Sequence, residues 1–389
     1  MKILAIETSC DDTCAAVLEN DKILSNVISS QTDLHSKWGG VVPNIAKRAH
    51  TERIEPVIIE ALIRSNPSVL RTSPLEKGRS FNEEFFKILM EEIDVIGVTL
   101  GPGLAIALGI GVNKAKELAI KYNKKLVAVN HIEGHIWANL LKNKKGNPER
   151  KIEFPALALT VSGGHTKIIL ISKDQFLNQN PSVLRTAPLD EREQYLDQRL
   201  IYTVVGETLD DAAGEALDKA AKMLGLGYPG GPIIERLAQT GDINFLDLPH
   251  PLADKKILDY SFSGLKTSFY YKIKDWPKEK IYQNLNNLAA TFQNAVFETL
   301  LRKYKLAIEK YQPKTLLASG GVLANIEIRK RLRKLAKVVG LPIYMPPQKN
   351  LNTDNAAMIG IVAYQKALRG EFVEDLDKLD RDPRLNFNY

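Results

Sequence analysis

The chain has 389 residues, long enough for two lobes that each bury a core, and only two cysteines, Cys10 and Cys14, too few for a disulfide scaffold. An apolar share of 44% and a charged share of 25% are those of a soluble globular protein and exclude a disordered or membrane-embedded chain. A net charge of +7 favours an anionic partner without specifying one.

The start, Met-Lys-Ile-Leu-Ala-Ile-Glu, reaches an acid after four apolar residues, so it reads as a strand and not as a secretion signal, and a cytoplasmic location is expected. The longest apolar stretch, Gly103 to Val112, is too short to span a bilayer. Lys2 to Thr8, Cys14 to Glu19 and Lys22 to Ser29 read as three successive strands, a β-meander, with the polar turn Ser9-Cys10-Asp11-Asp12-Thr13 between the first two. Helical periodicity runs from Ala46 to Arg64. A strand follows from Asp94 to Leu100, then the breaker Gly101-Pro102-Gly103, a helix to about Tyr122, and a strand from Lys125 to Asn130. The second half restarts in the same way: strand Ala156 to Val161, tight turn Ser162-Gly163-Gly164-His165, returning strand Thr166 to Ser172, a helix from Asp210 to Leu224, and a strand-turn-helix unit from Thr315 to Val338. Two such openings predict two related α/β lobes facing across a cleft, with ligands at the turns beyond the strand ends.

A short repeat interrupts this plan. The decapeptide Asn66-Pro-Ser-Val-Leu-Arg-Thr-Ser-Pro-Leu75 recurs as Asn180-Pro-Ser-Val-Leu-Arg-Thr-Ala-Pro-Leu189. Near-identity between lobes that have otherwise diverged points to recent insertion, and the paired prolines place both copies in exposed loops.

Two histidines four apart, in Asn130-His-Ile-Glu-Gly-His135, fall on one face of a helix, and His131 and His135 are either a metal clamp that needs a third ligand or a chance pair of core or surface histidines. A zinc protease would place its glutamate directly after the first histidine. Glu133 is two residues on, about 200° around the helix at ~100° per residue, and points away. Asp354, ahead of the apolar helix Ala356 to Ala363, is either that third ligand or a helix cap. Glycine turns at 163–164, 230–231 and 320–321 let backbone N–H groups approach a phosphate or ribose, which predicts a nucleotide site, while the absence of a Walker A run or a Gly-x-Gly-x-x-Gly fingerprint excludes the P-loop and dinucleotide readings. Asp218 is either a ribose contact or part of a solvated helix face, and Asn325 either a ligand contact or an N-cap. A sugar-kinase-like ATPase needs magnesium and has no use for the histidine pair.

With these residues in view, the chain resembles the tRNA N6-adenosine threonylcarbamoyltransferase family, once called glycoproteases. The motifs that carry the resemblance are Ile-Glu-Thr-Ser-Cys-Asp-Asp-Thr at 6–13, Gly-Gly-Val-Val-Pro at 39–43, Gly-Pro-Gly-Leu at 101–104, His-Ile-Glu-Gly-His at 131–135, Val-Ser-Gly-Gly-His-Thr at 161–166 and Asp-Asp-Ala-Ala-Gly-Glu-Ala-Leu-Asp-Lys at 210–219. Further along stand Tyr-Pro-Gly-Gly-Pro at 228–232, Tyr-Ser-Phe-Ser-Gly-Leu-Lys-Thr at 260–267, Ser-Gly-Gly-Val-Leu-Ala-Asn at 319–325 and Asn-Thr-Asp-Asn-Ala-Ala-Met at 352–358. Asp12 departs from the usual bacterial glutamate.

The resemblance implies an α/β fold of two lobes of actin-like ATPase and sugar-kinase type. The first would span 1–131 with about 366–389 and carry an insertion near 66–79; the second would span 132–365 with an insertion near 178–199. It implies transfer of threonylcarbamoyl from L-threonylcarbamoyladenylate to N6 of adenosine 37 in tRNAs reading ANN codons, with AMP released. Metal ligands map onto His131, His135 and Asp354, for one divalent transition metal, iron(II) with zinc as the alternative. Nucleotide contacts map onto Thr160, Val161, Ser162, Gly163, Gly164, Asp218, Gly231 and Asn325. Asp11 is the candidate for proton removal, against a plain turn aspartate. The implied partners are tRNA, a paralogous subunit without the metal site and a small P-loop ATPase.

Overall fold

A computed structural model describes residues 1–66, 83–173, 200–253 and 256–387. The first half begins with the meander β1 (Lys2–Glu7), β2 (Asp12–Glu19) and β3 (Lys22–Ser30). It continues through α1 (Thr32–Ser36), α2 (Pro43–Ser65), α3 (Glu83–Glu91), β4 (Val95–Gly101), α4 (Ala105–Lys121), β5 (Lys125–Asn130) and α5 (His131–Trp137). The second half runs β6 (Ala156–Val161), β7 (Thr166–Lys173), β8 (Leu200–Glu207), α6 (Ala213–Met223), α7 (Gly230–Ala238), α8 (Ser263–Ile273), α9 (Lys278–Gln283) and α10 (Leu285–Tyr311). It closes with β9 (Thr315–Ser319), α11 (Ile326–Val339), β10 (Ile343–Tyr344) and α12 (Ala356–Leu368).

The predicted elements are present, with shifts at their ends. The helix expected from Asp210 starts at Ala213, because the Asp210 carboxylate accepts instead from Phe262 N and Ser263 N and the Asp211 carboxylate from Lys219 and Lys266. The two prolinerich decapeptides lie outside the described residues, apart from Asn66.

Each half builds a five-stranded sheet on one plan. The first has the order β3-β2-β1-β4-β5, with β1 antiparallel to β2 and parallel to β4; the second has β10-β9-β6-β7-β8, with β6 antiparallel to β7 and parallel to β9. The expected two-lobed α/β architecture is thus present, one mixed sheet to each half. The central strands are almost wholly apolar, Ile3–Ile6 and Ala156–Val161 being buried along their length with Thr160 the one polar residue, as suits strands covered on both faces. Leu4, Ile6, Val98 and Val112 pack under α2 and α4, while Leu159, Ile168, Phe292 and Val296 form the core beneath α10.

A third cluster joins the halves. Ile3, Ala5 and Val127 of the first sheet, Ala158, Ile169 and Leu317 of the second, and Ile132, Ile136, Met358 and Ile359 of α5 and α12 share one core. Close approach of α12 to the first sheet requires glycine at 97, where a Cβ would stand 2.6 Å from that of Ala363. The two helices that flank the cleft floor are therefore fixed to both sheets, and no helix among the described residues is long and apolar enough to cross a membrane.

Candidate metal centre and nucleotide cleft

Helix α5 starts where β5 ends because Asn130 caps it, its side-chain oxygen accepting from Ile132 N at 2.8 Å and Glu133 N at 3.3 Å. His131 and His135 then stand one turn apart with their rings edge to face, centroids 4.7 Å apart. Across from them, the segment before α12 is capped by Asn355, whose side chain accepts from Met358 N. Asp354 is thereby left out of the cap, and its Oδ1 lies 3.6 Å from His131 Nε2 and 3.2 Å from His135 Nε2. One ligand atom from each of the three residues lies within 4.8 Å of the others.

The surroundings test whether a metal fits. His131 Nδ1 faces Glu7 Oε2 at 3.0 Å and Ser9 Oγ at 3.1 Å, so Nδ1 carries the proton and donates it, leaving Nε2 as a free lone pair toward Asp354. A buried carboxylate behind a histidine is the usual support of a metal-bound imidazole. Neither nitrogen of the fully buried His135 makes a hydrogen bond, an uncommon state for a buried imidazole, and its Nε2 contact with Asp354 is off line. A cation accepting both Nε2 lone pairs and the carboxylate satisfies all three groups, so the donor set fits a divalent transition metal.

The charges agree. Burial opposes ionisation of Asp354, yet the two histidines outweigh it and hold the carboxyl well below the usual range. For His131, burial opposes the charged form but Asp354 and Glu7 outweigh it and raise its pKa to about 9, so positive charge is favoured at this position. His165, in the β6–β7 turn with its ring centroid 6.2 Å from that of His131, is pushed down to about 3 by burial and by both histidines, and stays neutral. A cavity of 230 Å³ opens beside it, walled by Ile132, Lys167 and the C-terminal segment through Arg384 and Phe387.

The glycine turns converge on the other side of the cleft. Gly320, at φ 98°, brings β9 so close to β6 that a Cβ would lie 2.4 Å from Val161 O. The start of α6 rests on Ser162, Gly214 N donating to Ser162 O, and the start of α7 rests on α6. Side chains built on Gly163, Gly164, Gly231 or Gly321 would meet nothing within 4 Å, so these four residues front open space. Thr160 is fully buried with its hydroxyl unpaired.

Asp218 and Asn325 each have a local partner in the fold. Asp218 is no solvated helix face: its Oδ1 accepts from Gly230 N at 2.7 Å and Gly231 N at 3.1 Å, fixing the glycine turn at the head of α7. Asn325 caps α11 by accepting from Glu327 N, and its amide nitrogen donates to Gln293 Oε1 at 2.7 Å.

Asp11 sits between the two sides. Burial followed by the charge of Asp354, one of the metal ligands, raises its proton affinity, and its own charge is felt by Asp218 and Tyr228 near the glycine turns. Glu133 is turned away from the histidine pair, accepting from Tyr202 Oη at 3.0 Å with Lys366 3.7 Å off. The two cysteines are both free, Cys14 buried and Cys10 half-buried on the turn between β1 and β2.

Glu7, Ser9 and His165 were not singled out by sequence reasoning. The one available signal was Glu7, an acid closing an otherwise apolar buried strand, since His131 and Glu7 lie 124 residues apart in the chain.

Comparison with known proteins follows the same outline. The family model described as tRNA N6-adenosine threonylcarbamoyltransferase matches residues 22–70, 83–188 and 192–361. Proteins of that name from Thermosipho africanus and Bacillus subtilis are 40% and 41% identical, covering 95% and 96% of this chain and 96% and 93% of theirs. Among solved structures, HypF from T. kodakarensis superposes with a TM-score of 0.52 at 13% identity over 96% of this chain and 48% of its own, a likeness of fold alone.

Proposed function

The chain belongs to the tRNA N6-adenosine threonylcarbamoyltransferase family, and from that premise we propose that its cleft takes L-threonylcarbamoyladenylate and passes the threonylcarbamoyl group to N6 of adenosine 37 in tRNAs reading ANN codons. The observation that carries this reading is the pairing, across one cleft, of a His131–His135–Asp354 ligand set with open glycine turns. A sugar-kinase-like ATPase leaves the first half of that pairing without a use. A metalloprotease lacks its base, since Glu133 is committed to Tyr202.

In this reading His131, His135 and Asp354 hold one divalent metal, iron(II) by preference, which when bound supplies Lewis-acid polarisation and a template for the threonylcarbamoyl end. Glu7 and Ser9 hold the His131 ring so that Nε2 faces that position. The backbone at Thr160–Gly164 and Gly231 cradles the adenylate, with Asp218 keeping the second turn in shape and Asn325 fixing the head of α11 beside the third. The N6 nitrogen attacks the carbamoyl carbon, the bond from that carbon to the phosphate oxygen breaks, and AMP leaves. Asp11 takes the N6 proton, and its raised proton affinity makes it a stronger base for that task than a solvated aspartate. An exocyclic amine is a poor nucleophile, so holding both reactants in the cleft provides most of the acceleration.

The division into a first lobe of 1–131 with 366–389 and a second of 132–365, the cytoplasmic location, and the need for a paralogous subunit and a small P-loop ATPase belong to the same reading. The test is transfer in vitro: metal-loaded protein, threonylcarbamoyladenylate and unmodified tRNA, alone and with those two partners, followed by nucleoside mass spectrometry. Threonylcarbamoyladenosine at position 37 is expected. Its absence under every combination, with the adenylate intact, sinks the reading.

A further inference from the structure

On the far wall of the metal-site loop lies a second, larger concavity of 520 Å³, within the roughly 300–1,000 Å³ typical of ligand clefts. Its sides are the loop 143–150 and the face of α11 that carries Arg329 and Arg333, and its floor is β10 with the segment to Gln348. Three guanidinium groups from two distant parts of the chain, Arg150, Arg329 and Arg333, line it, and no carboxylate does.

That imbalance is local. On another face of the same helix Arg331 is paired with Glu327 at 2.8 Å and bound to Asn294, and in other parts of the chain Lys219 and Lys266 share Asp211 and Lys142 is matched by Asp21 at 2.6 Å. In the concavity Arg150 donates through Nη1 alone, to Asn139 O at 2.7 Å and Met345 O at 2.8 Å, which leaves the rest of its five-donor fork for another acceptor. Arg329 reaches Leu323 O, Pro346 O and Asn352 Oδ1, each at 3.3 Å, and Arg333 has no ion-pair or hydrogen-bond partner among the described residues. Burial and then Arg333 lower the proton affinity of Arg329, and burial together with Arg329 lowers that of Arg150; the cluster repels itself and lacks an anion.

The loop wall is held ready. Asn143 Oδ1 accepts from Lys145 N and Asn147 N, and Asn143 N donates to Asn147 O, so the turn bearing the exposed Lys144 and Lys145 is fixed without a ligand. The two walls also reach the metal centre: Arg329 binds Asn352, two residues before Asp354, and Arg150 binds the carbonyl of Asn139, four residues after His135.

We propose that this arginine-lined groove is a binding site for the phosphodiester backbone of the tRNA substrate, with Arg150 and Arg333 as the phosphate-contacting forks and Arg329 as the post that ties the groove to the Asp354 loop. The proposal rests on the reading that tRNA is the substrate. Guanidinium forks match phosphate oxygens in pairs, and an unopposed set of them, Arg150 and Arg329 half-buried and Arg333 exposed, gains from such an anion. Contacts to phosphate hold the substrate in register and carry no sequence information, so all substrate tRNAs use the groove alike.

The test uses the full metal-loaded protein with whatever partners transfer requires and an unmodified ANN-reading tRNA transcript. Affinity is measured across a salt series for wild type, Arg333→Ala, Arg333→Glu and the control Arg331→Ala, which removes the same charge from another face of the helix. Loss of one phosphate contact lowers the slope of log affinity against log salt by ~0.7–0.9. Arg333→Ala should show that drop, Arg333→Glu should raise KM for tRNA on the order of tenfold, and Arg331→Ala should show neither. An unchanged slope and KM in the Arg333 variants, while wild type binds and modifies tRNA, overturns the groove and leaves the transferase reading intact. An equal drop in Arg331→Ala overturns it too, as an effect of overall charge. Unchanged tRNA affinity with loss of a protein partner makes the groove a protein interface, again against the proposal. Wild type that neither binds nor modifies tRNA removes the substrate reading itself and the groove with it.

Discussion

Replacing Glu7 by glutamine keeps the shape of a fully buried side chain and changes one oxygen for an NH₂ group. The Glu7 carboxylate accepts three hydrogen bonds: from Ser9 N, from Thr99 Oγ1 at 2.6 Å and from His131 Nδ1 at 3.0 Å. A glutamine has one acceptor oxygen for these donors, and two orientations. With NH₂ toward Ser9, two N–H donors meet. With NH₂ toward His131, the imidazole must accept at Nδ1 and carry its proton on Nε2, the nitrogen that faces Asp354 and His135. Either way a buried donor is left unmatched or the metal-facing lone pair is lost. An unmatched buried donor costs about 1–3 kcal/mol, or roughly 5–150-fold in a binding constant. Loss of an outer partner of a metal-bound histidine costs ~10–100-fold in affinity, the same range from independent experience. The assay is titration of chelator-stripped Glu7→Gln with iron(II) and zinc(II) against a competing indicator, with circular dichroism to show a retained fold. Transfer should fall at limiting metal and recover in part at excess. Metal affinity equal to wild type in a folded variant refutes the account of Glu7 as the group that orients His131.

Further outcomes follow from the same geometry. His131→Ala, His135→Ala and Asp354→Ala should each lose stoichiometric metal, measured by elemental analysis, and tRNA modification, while melting as folded proteins; full activity in any one removes that residue from the site. Asp12, half-buried with Oδ1 unpartnered, has its carboxyl raised from 3.8 to about 7 by burial, against a bond from Ser30 and with help from neighbouring acids. Its folded-state value exceeds the unfolded one, so its contribution to stability is complete below pH 3.8 and is lost as pH rises to about 7, a swing of at most about 4 kcal/mol. Asp12→Asn should therefore flatten the fall in stability of the metal-free protein between those pH values, and denaturation curves parallel to wild type at both ends would contradict this. Deleting 71–82, which the family match passes over, should leave most transfer activity if the segment is the exposed insertion its prolines predict, since closure entropy changes by only ~0.6 kcal/mol per doubling of length; a folded but inactive deletion protein would assign that segment a function.

Much of this molecule is written locally. Ile3–Ile6 and Ala156–Val161 announce buried strands by composition, Gly340 ends α11 in the left-handed region, and the i, i+4 histidines need only one helical turn to meet. Helix starts were harder. Asn355, not Asp354, caps α12, and nothing in Asn-Thr-Asp-Asn distinguishes the two until the opposite wall is known. Glu7 with His131, Asp218 with the Gly230–Gly231 turn, and Arg150 beside Arg329 were out of reach for the same reason: each contact joins segments whose separation is set by the sheets, and no local pattern encodes it.

The core cluster shared by both sheets bears on how the protein can come apart. Sliding one half over the other would have to withdraw Ile132 and Ile136 from beneath Ala158 and Leu317, or Met358 and Ile359 from beside Ala5, so the halves lack a greased hinge and each is braced by the other. Neither half, synthesised alone, would have a finished interior: each would present the raw side of that cluster to water. Such a chain is poorly suited to being inherited in pieces, and new material enters it at the rim, where a loop can lengthen without any residue of the shared interior having to notice.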